Sequence, residues 1–234
     1  MSFFHKIANA QGHKGYRSEN IFAHTSDEES SNCAVQGYLT LLHKVLNHME
    51  IKKTSAIDIG CGAGYITNAF HKNNFTIKGL EYSEDALNIA HAHNSHLDIF
   101  QGDMSQFKEN NTYDFIFSRE VYLITRINAF TEQKEIISNI IDSLKPEGIF
   151  MLVGSDVSFP DCMDYDLIIK TFRKDSRLQS VSNMYYEFIF RKFNKFIFGS
   201  ISYFIIKLFL YPLILYKKYK YNFATPFIIV FVKK

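Results

Sequence analysis

An excess of charge of either sign is missing from this chain. Its 234 residues carry 26 Lys and Arg against 24 Asp and Glu, a net charge of +2. That near balance gives no electrostatic footprint for nucleic acid, which is not expected as a partner. Cysteine is scarce: Cys33, Cys61 and Cys162 are scattered without metal-like spacing. An odd count suits a reduced compartment rather than a disulfide framework, and no metal is expected. Residues 1–6 lack the apolar run of a secretory signal, so the expected location is cytoplasmic. There is no internal repeat and no long low-complexity linker, and the length suits a single domain over 1–234 with room for added elements.

What is present centres on residues 54–67, Thr-Ser-Ala-Ile-Asp-Ile-Gly-Cys-Gly-Ala-Gly-Tyr-Ile-Thr. A short apolar run enters three glycines spaced by two, Gly60, Gly62 and Gly64, and a helical apolar pattern follows in Tyr65, Ile66, Ala69 and Phe70. This reads as strand, glycine turn and helix. Glycine serves where the backbone takes a positive φ or where a ligand lies against bare backbone. The helix behind the turn offers unpaired amides and a partial positive charge. The stretch therefore predicts a nucleotide-like pocket at the carboxyl end of a parallel strand. A dinucleotide fingerprint requires glycine at 65, where this chain has Tyr65, and that argues against an NAD-dependent oxidoreductase. The run Asp58-Ile-Gly-Cys-Gly-Ala-Gly64, with its acid two residues before the first glycine, resembles motif I of the class I S-adenosylmethionine (SAM) dependent methyltransferases.

The next segments keep that order. Phe75–Leu80 reads as a second strand ending at Glu81. A carboxylate about twenty residues beyond the glycines can accept two hydrogen bonds from the cis hydroxyls of a ribose. Tyr82 beside it is placed to lie along an adenine. Ser83 caps a following helix, with Glu84 and Asp85 in its first turn. His91, His93 and His96 end that helix; the first two point to different faces, so a metal site is rejected in favour of the helix dipole.

Strand 3 is Leu97–Phe100, followed by Gln-Gly-Asp-Met at 101–104; strand 4 is Tyr113–Ser118. By the resemblance, Asp103 accepts from the adenine amino group, Met104 meets the ring, and Asp114 is structural. Ser118, Arg119 and Glu120 open the loop where methyl donor meets acceptor. Relatives read something like Glu-Val-Leu-Glu-His here; this chain reads Glu120-Val-Tyr-Leu-Ile124, which puts a general base on the loop in doubt. A helix at 131–143, stopped by the turn Lys145-Pro-Glu-Gly148, and a fifth strand at Ile149–Val153 complete the resemblance, which covers about 54–155.

The flanks are less legible. Residues 1–31 are polar, and Tyr16, Arg17, Phe22 and His24 are candidates to face substrate; a solvated tail is the alternative. Val35, Tyr38, Leu39, Leu42, Val45, Leu46 and Met49 give an apolar helical face over 32–50, with Asn32 as a candidate cap. Residues 1–50 would form an N-terminal cap. Residues 156–225 form an aromatic-rich insertion or lid before the last strand at 226–232, with a helix over Phe159–Phe172. Within it, 196–216 holds one charge, Lys207, between basic clusters. That length fits a membrane span, but a single crossing would separate 226–232 from the sheet. The open readings for 188–221 are a substrate lid or homodimer surface, a peripheral membrane contact where Tyr and Lys suit the headgroup layer, and a span.

The resemblance implies a Rossmann-like three-layer α/β/α sandwich, with a mostly parallel seven-stranded sheet and an antiparallel last strand. It implies S-adenosyl-L-methionine as cofactor, S-adenosyl-L-homocysteine as product, and a small-molecule acceptor methylated on O or N. Gly60, Cys61, Gly62 and the turn backbone would hold the methionine portion, with Asp58 organising the turn. Glu81 would hold the ribose, Tyr82, Asp103 and Met104 the adenine, and the Ser118 carbonyl would accept from the ammonium. No catalytic base is assigned; His24, Tyr16 and Tyr122 are guesses. The aromatic load after residue 184 points to an apolar or aromatic acceptor. The alternative is a catalytically silent protein of the same fold, acting as a membrane-associated or partner-binding scaffold.

Overall fold

In a computed structural model, which describes residues 28–46, 51–125, 129–154, 163–184 and 227–234, the glycine stretch joins a strand to a helix as its sequence predicts. Seven strands form one sheet: β1 (Ala56–Ile59), β2 (Ile77–Glu81), β3 (Asp98–Gln101), β4 (Tyr113–Arg119), β5 (Leu144–Gly154), β6 (Leu178–Asn183) and β7 (Phe227–Lys233). Their order across the sheet is β3-β2-β1-β4-β5-β7-β6. Among the described strands only β7 runs against the rest, pairing antiparallel with both β5 and β6. The chain order reverses between β1 and β4, which is where open α/β sheets leave a crevice at the strands' carboxyl ends.

Period-two alternation sends each strand's side chains to two separate cores. Ile57, Ile59, Ile116, Phe150, Leu152, Ile229 and Phe231 face one side. There they meet Ile136, Ile137, Ile140 and Ile141 of α5 (Phe130–Ser143) and Ile168, Ile169 and Phe172 of α6 (Tyr165–Phe172). On the other side Ala56, Phe115, Phe117, Met151 and Val230 meet α1 (Glu28–Val45) and α2 (Tyr65–Lys72) through Val35, Tyr38, Leu42 and Phe70. The result is the expected α/β/α sandwich. Side chains of this kind each contribute roughly 1.5–3 kcal/mol when fully buried, so the two layers fix how the strand ends line up. Two further helices, α3 (Glu84–His93) and α4 (Tyr122–Thr125), follow the carboxyl ends of β2 and β4.

Some local expectations change. Asn32 lies inside α1 and does not cap it. The Lys145–Gly148 segment belongs to β5, not to a turn ahead of it: Leu144 pairs with Tyr113, Ile149 with Phe115, and the extra residues bulge out with Glu147 at φ 63°. Within 156–225, α6 and β6 belong to the sandwich, and β6 forms the sheet edge. Candidates at Tyr16, Arg17, Phe22 and His24, the start of the helix expected from Phe159, and the whole of 188–221 lie outside the described residues. Among the described residues, no helix is long and apolar enough to cross a membrane.

Candidate functional site

The carboxyl ends of β1, β2 and β4 lie side by side, since Ile59 pairs with both Leu80 and Ser118. From β1 the chain enters Gly60, Gly62 and Gly64 at φ 76°, 58° and 78°, all left-handed. A Cβ on Gly60 would stand 2.3 Å from Val121 Cγ2, so the loop after β4 closes directly on this residue. Gly64 opens α2 without any side-chain cap.

Three anchors hold the turn. The Gly60 and Cys61 amides both donate to the Leu80 carbonyl, at 2.7 and 3.2 Å. Asn94 Nδ2 donates to the Ala63 carbonyl at 3.0 Å. The Gly62 amide donates to Glu81 Oε2 at 2.7 Å. Glu81 Oε1 accepts in addition from the Tyr82 and Ser83 amides at 2.9 and 2.8 Å. Burial pushes the Glu81 carboxyl above its ordinary range, against the pull of these three amides. A carboxylate offers about four lone-pair directions, so roughly one is left toward the crevice. The two ribose bonds expected from sequence would share the carboxylate with these three amides.

Asp58 lies beneath the turn, fully enclosed, and accepts from Thr67 Oγ1 at 2.7 Å. Its pKa is raised to about 7, chiefly by burial and in lesser part by Glu81, with the Thr67 hydrogen bond and Arg119 opposing. Cys61 packs its sulfur against Gly79, and burial pushes its thiol well up, which argues against a nucleophile. Asp103 Oδ1 accepts from the Ser105 amide and hydroxyl and starts a short 3-10 turn, Met104–Gln106, with Met104 buried. Asp114 accepts from Thr54 and Lys145, the structural role expected of it. Ser83 caps α3 through Ala86, as predicted.

At the end of β4 two buried polar atoms lack a hydrogen-bond partner among the described residues, Ser118 Oγ and Arg119 Nη1. Thr67 lies within the 54–67 stretch but has no role there by sequence alone, and Asn94 is brought to the turn only by the fold. His91 Nε2 donates to the Ile99 carbonyl and His96 Nε2 to Asn68 Oδ1, and among the described residues no cluster fits a metal. Ile124, at the place of the relatives' His, is buried, and its carbonyl accepts from Gln133 Nε2 at 2.8 Å.

Residues 50–203 match the family model described as a methyltransferase domain. A ubiquinone biosynthesis O-methyltransferase of Rickettsia canadensis (strain McKiel) is 23% identical over 117 residues, 48% of this chain and 48% of that protein. The match thus spans about half the length of the curated relative. Among solved structures, a phosphoethanolamine N-methyltransferase 2 of Haemonchus contortus, in complex with phosphomonomethylethanolamine and S-adenosylhomocysteine, superposes with TM-score 0.55 at 18% identity, over 85% of this chain and 53% of that one. Magnesium protoporphyrin IX methyltransferase of Synechocystis PCC 6803 with bound SAM gives TM-score 0.58 at 11% identity, over 100% and 98%. At these identities the structural likeness is one of fold.

Proposed function

The chain belongs to the methyltransferase-domain family, and from that premise we propose that it moves the methyl group of SAM to an oxygen or nitrogen of a small, apolar or aromatic acceptor, leaving S-adenosylhomocysteine. One observation carries the reading: a buried carboxylate at the end of β2 is tied to a left-handed glycine turn at the end of β1. The residues present fit the cofactor. Its ammonium suits Asp58 and the Ser118 carbonyl, and its ribose the remaining lone pair of Glu81. Its adenine would lie toward Tyr82, Asp103 and Met104, which follow the carboxyl ends of β2 and β3.

When bound, SAM supplies a methyl on a sulfonium that departs without help from an acid. The chain's own task is then alignment and exclusion of water. Orientation alone can supply roughly 7–11 kcal/mol in favourable cases. The glycine turn fixes the donor end, and the Val121–Gly60 contact sets where the acceptor loop can lie. Ile124 supplies no base, so an acceptor that must lose a proton would need one from elsewhere. The relatives named above include one O- and one N-methyltransferase, which leaves both acceptor atoms open.

The same Ile124 favours a second reading, a catalytically silent scaffold that binds the cofactor without transfer. Residues 188–221 supply a candidate membrane or dimer surface by composition, and an apolar acceptor would be delivered from a bilayer. Incubation with methyl-labelled SAM, a panel of apolar phenols and amines, and extracted lipids tests both. Label recovered in a small molecule, with release of S-adenosylhomocysteine, supports the transfer reading. Cofactor binding without label transfer to any of them supports the scaffold. Liposome flotation tests the membrane contact: a chain that stays at the bottom with anionic lipid present contradicts it.

A further inference from the structure

The sheet splits at the ends of β1 and β4, and the split puts Arg119 on a different bank from the glycine turn. The two strands pair as far as Ile59 and Ser118. One residue on, the chains part. The Gly60 amide donates to the Leu80 carbonyl of β2 at 2.7 Å. Arg119 instead stays in register with Val153 of β5, and the next amide, that of Glu120, donates to the Val153 carbonyl at 3.0 Å. The glycine turn and Glu81 therefore line the β2 bank of the crevice, and Arg119 stands on the β5 bank.

Arg119 lies two residues past Phe117, whose ring is 5.6 Å from that of Tyr38, so its side chain leaves the strand on the α1 face. Its charge reaches Asp58 beneath the turn and Tyr38 on α1, which keeps it near the crevice floor. Nη1 is buried and has no hydrogen-bond partner among the described residues. Nor does any ion pair among the described residues include Arg119. A guanidinium keeps its charge under all ordinary conditions, and its planar fork of donors matches a carboxylate or a phosphate. A buried donor left open is unfavourable alone and favourable once an anion arrives.

The bank says which ligand brings that anion. With SAM on the glycine turn, the cofactor occupies the β2 side, and the loop that follows Arg119 faces what lies across from it. We propose that the methyl acceptor carries an anionic group, a carboxylate or a phosphate, on its apolar or aromatic body, and that Arg119 receives it. The cofactor's sulfonium is itself positive, so such an acceptor meets two like-signed attractions in one crevice. Arg119 keeps its proton throughout. It selects and orients the acceptor by charge and takes no proton from it, which suits a loop whose Ile124 supplies no base. Arg119 holds this place only with SAM on the glycine turn, the reading above on which the assignment rests.

The test is calorimetry on the full chain saturated with S-adenosylhomocysteine, with benzoate and phenyl phosphate as anionic probes and phenol as the neutral control. At least one anion is expected to bind about tenfold tighter than phenol, the gain of one charge-assisted contact. Benzoate alone in that role gives the acceptor a carboxylate; phenyl phosphate alone gives it a phosphate. Arg119→Met should remove the preference, and Arg119→Lys should keep part of it. S-adenosylhomocysteine itself should bind Arg119→Met within about threefold of the wild type. If Arg119→Met lowers the melting temperature, Arg119→Lys replaces it and should weaken the anion while leaving phenol unmoved. A wild type that binds neither anion tighter than phenol overturns the assignment and leaves the cofactor reading intact. A preference that survives Arg119→Met also overturns it. So does a folded Arg119→Met that loses S-adenosylhomocysteine, because the guanidinium then belongs to the cofactor. A wild type that does not bind S-adenosylhomocysteine contradicts the cofactor reading, and this assignment with it.

Discussion

Glu81 Oε2 accepts a 2.7 Å hydrogen bond from the Gly62 amide. The carboxylate read as the ribose ligand is therefore also the latch of the glycine turn. Removing it does two things at once. Glu81→Ala leaves the Gly62, Tyr82 and Ser83 amides without their acceptor. It is expected to weaken S-adenosylhomocysteine at least about tenfold and to lower the apo melting temperature, since each stranded buried donor costs roughly 1–3 kcal/mol. Titration calorimetry and thermal melting read the two effects. An unchanged affinity would remove the ribose assignment.

The Asp58 carboxyl sits at about 7, up from 3.8, chiefly through burial. The native chain then holds a proton there that the unfolded chain gives up well below neutrality. Stability from this group is complete below about 3.8 and is lost progressively as pH rises from there through about 7. Asp58→Asn should raise the apo melting temperature at about pH 8 and make little difference only below the unfolded value, at about pH 3. Binding runs the other way: an ammonium beside Asp58 favours the charged form, so S-adenosylhomocysteine should bind more tightly from about pH 6 to 8 and release a proton. Calorimetry in buffers of different ionisation heat measures that proton. Binding without proton release near neutrality would separate Asp58 from the ligand.

Gly60 cannot carry a side chain. Its φ is 76°, and a Cβ would fall 2.3 Å from Val121 Cγ2. Gly60→Ala should abolish measurable S-adenosylhomocysteine binding. The double variant with Val121→Ala removes the steric overlap but keeps the left-handed strain of about 1–2 kcal/mol, so it should recover folding more than affinity. Full recovery of affinity would show that the clash, not the turn's conformation, is what matters.

Phe117 joins the site to the core. It is fully buried, with ring contacts to Tyr38 at 5.6 Å and Phe70 at 5.0 Å. Phe117→Ala should cost roughly 3–5 kcal/mol in urea unfolding. A loss under about 1 kcal/mol would mean that α1 does not pack on β4 as described.

The turn and β1 to β5 were legible because their signals are local. Three glycines at a spacing of two and β-branched runs need no knowledge of distant residues. Edge strand β6 escaped notice because Leu-Gln-Ser-Val-Ser-Asn offers only Leu178 and Val181 to a core and pairs only with β7. The Lys145–Gly148 segment read as a turn because a bulge and a turn use the same residues; only the Tyr113 and Phe115 register tells them apart. Glu81 lies at the end of β2 as expected, but its bond from the Gly62 amide comes from an approach between β1 and β2 that no spacing encodes. Arg119 reads from sequence only as part of the loop after β4; that it shares a face with Asp58 emerges from the alternation of the two strands.

The most direct test of the account is titration of the purified chain with S-adenosylhomocysteine, with NADH as the control. The account predicts micromolar binding of the first, with negative heat capacity change as the adenine is buried, and none of the second. Binding of NADH, or no binding of S-adenosylhomocysteine with or without liposomes present, would contradict it.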